Sequence, residues 1–90
     1  MKYIVYKHTF ENNKSYIGHT GLSISKRLNK HIQNAQSGHD TNFYRAIRKY
    51  GLNNIKSNVL YECISRKEAL EKEKFFISYY NTFKNGYNMT

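Results

Sequence analysis

Ninety residues bound the chain to one small domain. Fifteen Lys and Arg against six Asp and Glu give a net charge of +9, which calls for a polyanionic partner. Nucleic acid fits better than a membrane surface, because no basic helix with a dominant apolar face stands out, and the single Cys63 excludes an internal disulfide.

Without a signal peptide, lipidation motif or spanning apolar run, the sequence predicts a soluble cytoplasmic protein. Abundant Lys, Asn, Ile and Tyr, whose codons are AT-rich, point to a phage or low-GC bacterial cell as its setting. Proline is absent, so turns fall to Gly and Asn.

In chain order, KYIVYKH (2–8) and SYIGH (15–19) are β-branched and aromatic, and the Asn-rich FENNK between them closes a β-hairpin. From Ser23 to about Ser37, Ile24, Leu28, Ile32 and Ala35 recur at helical spacing, with Ser23 as N-cap and Gly38 as stop. Asp40 or Thr41 caps a shorter helix, NFYRAIRKY, that Gly51 ends. IKSNVLYEC (55–63) reads as a third strand, with Cys63 as a small core residue. Ser65 to Glu68 form a capping box that opens a helix running to about Tyr80, and the tail NTFKNGYNMT is loop-like. The fold class is α/β of the α+β type: a small three-stranded antiparallel sheet flanked by helices, in the order β-β-α-α-β-α.

Some residues sit where a plain core would not put them. The last helix has an apolar stripe of Leu70, Phe76, Ile77 and Tyr80, and Glu73 falls on it, whereas Glu68 and Glu71 can cap or face solvent. A carboxylate there costs free energy unless it is paired, as with a lysine, or holds a hard cation. On the first helix Arg27 and His31 are one turn apart and flank the stripe, while Lys26 and Lys30 should face solvent and touch phosphates at most. Arg suits phosphate clamping and His suits proton transfer, but a solvated basic face would produce the same run of positives. His8, His19, His31 and His39 lack the paired spacings of a zinc site. Gly18 reads as a bulge or a close backbone approach.

Taken in order, these residues resemble the GIY-YIG nuclease family. The half-motifs are Ile4-Val5-Tyr6 and Tyr16-Ile17-Gly18, followed by Arg27 with His31, by Glu73-Lys74-Phe75-Phe76, and by Gly86-Tyr87-Asn88. Ile4 replaces the first glycine of the motif, at a backbone position rather than a reacting side chain. The resemblance spans the whole chain and implies a metal-dependent phosphodiesterase that cuts double-stranded DNA to 5′-phosphate and 3′-hydroxyl ends, as homing-type or other mobile-element enzymes do. It implies Glu73 as ligand to one Mg²⁺ or Mn²⁺, Arg27 on a non-bridging phosphate oxygen, Tyr6 as general base and His31 as acceptor of its proton. Tyr16 would orient water or phosphate, and Asn88 would hold other groups in place. Lys26, Lys30, Arg45 and Arg48 are expected to contact DNA, and Gly18 to clear space beside the site, with His19 and Thr20 near the metal pocket or on the way to the helix.

Two further expectations follow. The chain stops two residues after Asn88, as the catalytic part of a longer protein would. Tyr6 and Tyr16 share a sheet face only if paired positions sum to an even number, so the hairpin needs an odd loop or a bulge around Phe10–Lys14. The alternative to an enzyme is a non-catalytic basic nucleic-acid-binding module of this fold, which has no use for a carboxylate near phosphates.

Overall fold

The computed structural model describes residues 2–38, 41–51 and 55–88. Strands β1 (Tyr3–Thr9) and β2 (Ser15–Thr20) form the hairpin, and β3 (Lys56–Cys63) pairs with the other side of β1. All pairing is antiparallel, and β1 is the central strand in the order β2-β1-β3. Helices α1 (Ile24–Gln36), α2 (Asn42–Tyr50), α3 (Arg66–Tyr80) and the short α4 (Thr82–Asn85) complete the chain.

Local chemistry explains the boundaries. The Ser23, Thr41 and Ser65 hydroxyls accept hydrogen bonds from the Lys26, Tyr44 and Glu68 amides, occupying donors that a helix N-terminus leaves unpaired. Thr41 is therefore the cap of α2, and the other candidate, Asp40, lies outside the described residues, as does His39. Gly38 and Gly51 follow α1 and α2 with φ of 92° and 72°, which a side chain disfavours. The capping box of α3 is one-sided: the Glu68 carboxylate accepts from the Tyr61 hydroxyl at 3.4 Å.

The hairpin loop is odd. Phe10 and Lys14 close a three-residue loop, with Asn13 at φ 65° and its amide bonded to the Phe10 carbonyl at 2.9 Å. The register pairs Tyr6 with Gly18 and His8 with Tyr16, so both tyrosines lie on one face. A bulge shifts the β1–β3 register between Val5 and Tyr6.

The two faces of the sheet are packed differently. Val5, Ile17, Cys63 and Ala69 form an apolar cluster against α3, joined by Phe76 and Ile77. Phe10, Ala35, Phe43, Ala46 and Ile47 form a second cluster with α1 and α2, on the face that carries Tyr6, His8 and Tyr16. Cys63 is a buried core residue, as expected.

Three expectations need correction. On α1 the buried residues are His31 and Ala35, while Ile24, Leu28 and Ile32 are only partly covered, because the sheet face above α1 is polar. On α3 the fully buried position is Ala69; Leu70 and Tyr80 are exposed, and Lys7 covers the Tyr80 ring at 4.1 Å. The tail is not simply a loop, since Asn81 in the left-handed conformation ends α3 and leads into α4.

Candidate active site

Gly18 shows why this hairpin needs a glycine. A Cβ there would run into the Tyr6 hydroxyl and lie 2.6 Å from its Cζ and 3.1 Å from Cε2 of Tyr16. Position 18 is thus the floor on which the Tyr6 ring rests. The bulge on the other side of β1 lies next to Tyr6, a place where bulges re-aim side chains.

Above that floor, the first turns of α1 bring two residues onto Tyr6. The Tyr6 hydroxyl and His31 Nε2 are 2.9 Å apart in a buried hydrogen bond. The Arg27 guanidinium lies close enough for its positive charge to act on the same hydroxyl. Burial raises the Tyr6 phenol pKa above its ordinary value, with Tyr16 adding to the rise and Arg27 opposing it. Burial pushes His31 down to about 3, with Arg27 and then His8 reinforcing it. At neutral pH the proton of the pair therefore rests on Tyr6, and His31 is a neutral imidazole. Arg27 and His31 do not belong to a solvated basic face, whereas Lys26 and Lys30 are exposed as expected.

Tyr16 stands between this pair and the outside. Its ring stacks on Phe43 of α2 at 4.0 Å and 8°, and it lines a cleft of about 300 Å³ with Glu73, Tyr44 and Asn88. Burial also raises the Tyr16 phenol, with the Glu73 charge the next cause. Glu73 reaches the cleft from α3 at the free edge of β2, where Oε1 meets Nδ1 of His19 at 3.2 Å. Its protein partner is a histidine rather than a lysine, and both side chains keep about a fifth of their surface exposed.

Asn88 is a clamp. Its side chain accepts from the Ile17 amide and donates to the Ile17 carbonyl, both at 2.8 Å, and takes the Thr82 hydroxyl at 2.7 Å. These bonds pair the tail with the free edge of β2, as a strand would. Gly86 makes this possible, because a Cβ there would strike the Ser15 and Thr82 carbonyl oxygens.

The structure thus brings Tyr6, Tyr16, Gly18, Arg27, His31, Glu73 and Asn88 into one region. It also places Tyr6 deeper than a water-activating base requires: the residue is fully buried, and of the two motif tyrosines it is Tyr16 that lines the cleft. Arg45 is exposed on α2, while Arg48 donates from Nη1 to the Ala35 carbonyl at 2.9 Å and ties α2 to the end of α1. The sequence reading left out Thr82 and Ser57, took Gly86 only as part of the Gly-Tyr-Asn tail, and gave His8 no role beyond excluding zinc. The His8–Ser57 bond and the approach of Gly86 to Ser15 join residues far apart in sequence, and no local spacing announces them.

A small antiparallel sheet with two tyrosines on one face, an arginine and a histidine one turn apart above them, and a glutamate at the edge is the arrangement of a nuclease domain. The model of the GIY-YIG catalytic domain matches residues 2–88, and the chain belongs to that family. Among solved structures it is similar to a mutant of the catalytic domain of intron endonuclease I-TevI, at 29% identity and a TM-score of 0.86, over 100% of this chain and 95% of that one. It is also similar to the catalytic domain of homing endonuclease I-TevI, at 27% identity and a TM-score of 0.83, covering 98% of each chain. No curated protein matches it. Among the described residues, no helix is long and apolar enough to cross a membrane.

Proposed function

We propose that this nuclease is a divalent-metal-dependent DNA endonuclease of the homing type, which hydrolyses phosphodiester bonds to 5′-phosphate and 3′-hydroxyl ends. The observation that carries the reading is the buried Tyr6–His31 hydrogen bond beside Arg27, one ring away from a cleft that holds a carboxylate. The similarity to the catalytic domains of an intron endonuclease and a homing endonuclease supports the homing type.

Glu73 fits a hard cation. Among the described residues no group of three His, Cys, Asp or Glu could form a closed metal cage. Mg²⁺ does not need one, since it takes one or two carboxylates and completes its shell with water and substrate phosphates. Glu73 would hold the ion, which when bound supplies positive charge to the scissile phosphate and its leaving oxygen.

The protein's own groups do the rest. Arg27 offers a fixed positive charge to the phosphate, worth most in a site screened from water. Tyr16 orients the phosphate or the attacking water with its hydroxyl. Tyr6 takes the proton of that water as it passes its own to His31 Nε2, in one relay that leaves no free phenolate, since burial raises the Tyr6 phenol and lowers His31. That role requires the Tyr6 hydroxyl to be uncovered when substrate docks, so Tyr16 is its competitor for the base. Asn88 holds β2 in register, and exposed Lys26, Lys30 and Arg45 contact backbone phosphates of double-stranded DNA without reading its sequence.

Plasmid cleavage with Mg²⁺ and with EDTA tests the reading on wild type, Glu73→Ala, Arg27→Ala, Tyr6→Phe and Tyr16→Phe. Each variant should lose roughly 100-fold or more in rate, and EDTA should abolish cleavage. Metal-independent cutting, or full activity in Glu73→Ala, overturns the mechanism. Full activity in Tyr6→Phe with loss in Tyr16→Phe moves the base to Tyr16.

A further inference from the structure

His8 lies outside the residue set that the family resemblance assigns, yet it supplies the nearest aromatic neighbour of Tyr6. It is fully buried on β1, on the same face as Tyr6, with the two ring centroids 4.7 Å apart. Its Nδ1 is 2.8 Å from the Ser57 hydroxyl, its cross-strand partner on β3. Its plane is parallel to Phe43 within 3°. Among the described residues, its buried Nε2 has no hydrogen-bond partner, and neither has Nδ1 of His31. The two imidazoles stand edge to face at 86°, with centroids 6.1 Å apart.

Packing alone does not explain a histidine here. An apolar side chain would fill the same volume without burying an unpaired polar atom, which costs about 1–3 kcal/mol. Burial and the Arg27 charge push His8 down to about 4, so the ring is neutral, with one N–H and one lone pair. Which nitrogen carries the hydrogen is set by the bond the other makes.

That choice propagates. For Tyr6 to give its proton to His31, Nε2 of His31 must hold a lone pair, and the His31 hydrogen must sit on Nδ1. A buried Nδ1–H is favoured by a negative edge nearby. His8 presents one when its own hydrogen is on Nδ1, donated to the Ser57 hydroxyl, which leaves a lone pair on the buried Nε2 beside the His31 ring. The opposite arrangement, with Ser57 donating, sets two N–H dipoles in one pocket and drives the His31 hydrogen to Nε2, where it blocks the transfer. We propose that His8, anchored by Ser57, is a positioning residue that fixes the tautomer of His31 and so lets its Nε2 accept the proton of Tyr6. The inference rests on the Tyr6–His31 pair acting as described under the proposed function.

Long-range ¹H–¹⁵N spectra of histidine-labelled protein near pH 7 read the tautomers directly. Wild type should show the hydrogen on Nδ1 of both His8 and His31. Ser57→Ala, at an exposed position that leaves packing intact, should shift His31 toward the Nε2–H form and lower kcat for plasmid cleavage about 10-fold with KM unchanged. His8→Phe should do the same, and His8→Gln, which returns an amide oxygen near the lost Nε2, should recover part of the rate. A wild-type His31 with its hydrogen on Nε2, a His31 tautomer indifferent to both Ser57→Ala and His8→Phe, or His8→Gln no better than His8→Phe overturns the proposal. Cleavage with an indifferent His31 tautomer removes this inference alone. A tautomer that follows Ser57 in a protein that cuts no DNA removes the nuclease mechanism and leaves the coupling standing.

Discussion

The two faces of the sheet are packed for opposite purposes. Toward α3, β1 and β2 present Val5 and Ile17, which meet Cys63 and Ala69 in an apolar cluster, with the His19–Glu73 pair at its edge. Toward α1 and α2 the same strands present Tyr6, His8, Tyr16 and Gly18, and the helices answer with His31 and Phe43. That face keeps His8 Nε2, His31 Nδ1 and Arg27 Nε buried without partners among the described residues, a standing cost in free energy. The difference teaches how a small domain with a thin core carries a site: one face supplies stability and the other spends it on polar groups held in fixed positions.

The contrast is sharpest in acid. His31 and His8 titrate at about 3 and about 4 in the folded chain, against about 6.5 when unfolded. The unfolded chain therefore binds more protons, so the stability fully present above about pH 6.5 is lost as pH falls through that value toward 4. With two histidines charging on unfolding, stability should drop by up to about 3 kcal/mol per pH unit between pH 6 and 4. Urea melts at a series of pH values measure the slope. His8→Phe should halve it, and an unchanged slope in that variant would show that His8 does not carry this effect.

Gly18→Ala breaks the polar face from below. The added methyl meets the Tyr6 ring, so the ring must move or the strands must part. Overpacking of this kind costs about 1–3 kcal/mol, and an error of about 1 Å in a reacting group costs about 100-fold in rate. Cleavage should fall by roughly 100-fold while Tm falls by several degrees. Wild-type cleavage in a folded Gly18→Ala protein would separate Tyr6 from the chemistry.

How much of this was readable from sequence also divides by face. The hairpin, the Ser23 and Ser65 caps, the glycine stops and the third strand follow from local chemistry, and the structure has them within a residue or two. The odd loop followed from the requirement that Tyr6 and Tyr16 share a face. The rotation of α1 did not, because apolar periodicity selects Ile24, Leu28 and Ile32 and has no means of seeing that the covering sheet face is polar. The His8–Ser57 bond spans 49 positions, and the Asn88–Ile17 pair spans 71. Contacts at that range are made by the register of the strands and the path of the tail, and neither is written in a window of neighbouring residues.

Asn88 tests where the two regions join, because it ties the tail to β2 beside the cleft without touching the buried tyrosine pair. Asn88→Ala removes three hydrogen bonds and leaves the Ile17 amide and carbonyl at the edge of β2 without their side-chain partner. At about 1 kcal/mol per bond, less what water restores at this partly buried edge, stability should fall by about 1–3 kcal/mol and cleavage by a smaller factor than for Gly18→Ala.

Ile17→Val gives the smallest expected change and the cleanest reading. It deletes one methylene from the apolar cluster and should cost about 0.5–1.5 kcal/mol, read as a shift in the urea midpoint with an unchanged m-value. The rate and its pH dependence should stay at wild-type values, because every group of the tyrosine pair hangs from the other face of the strand. If Ile17→Val lowers cleavage more than it lowers stability, strand β2 is transmitting packing on one face to geometry on the other, and the division of labour between the faces fails at its thinnest point.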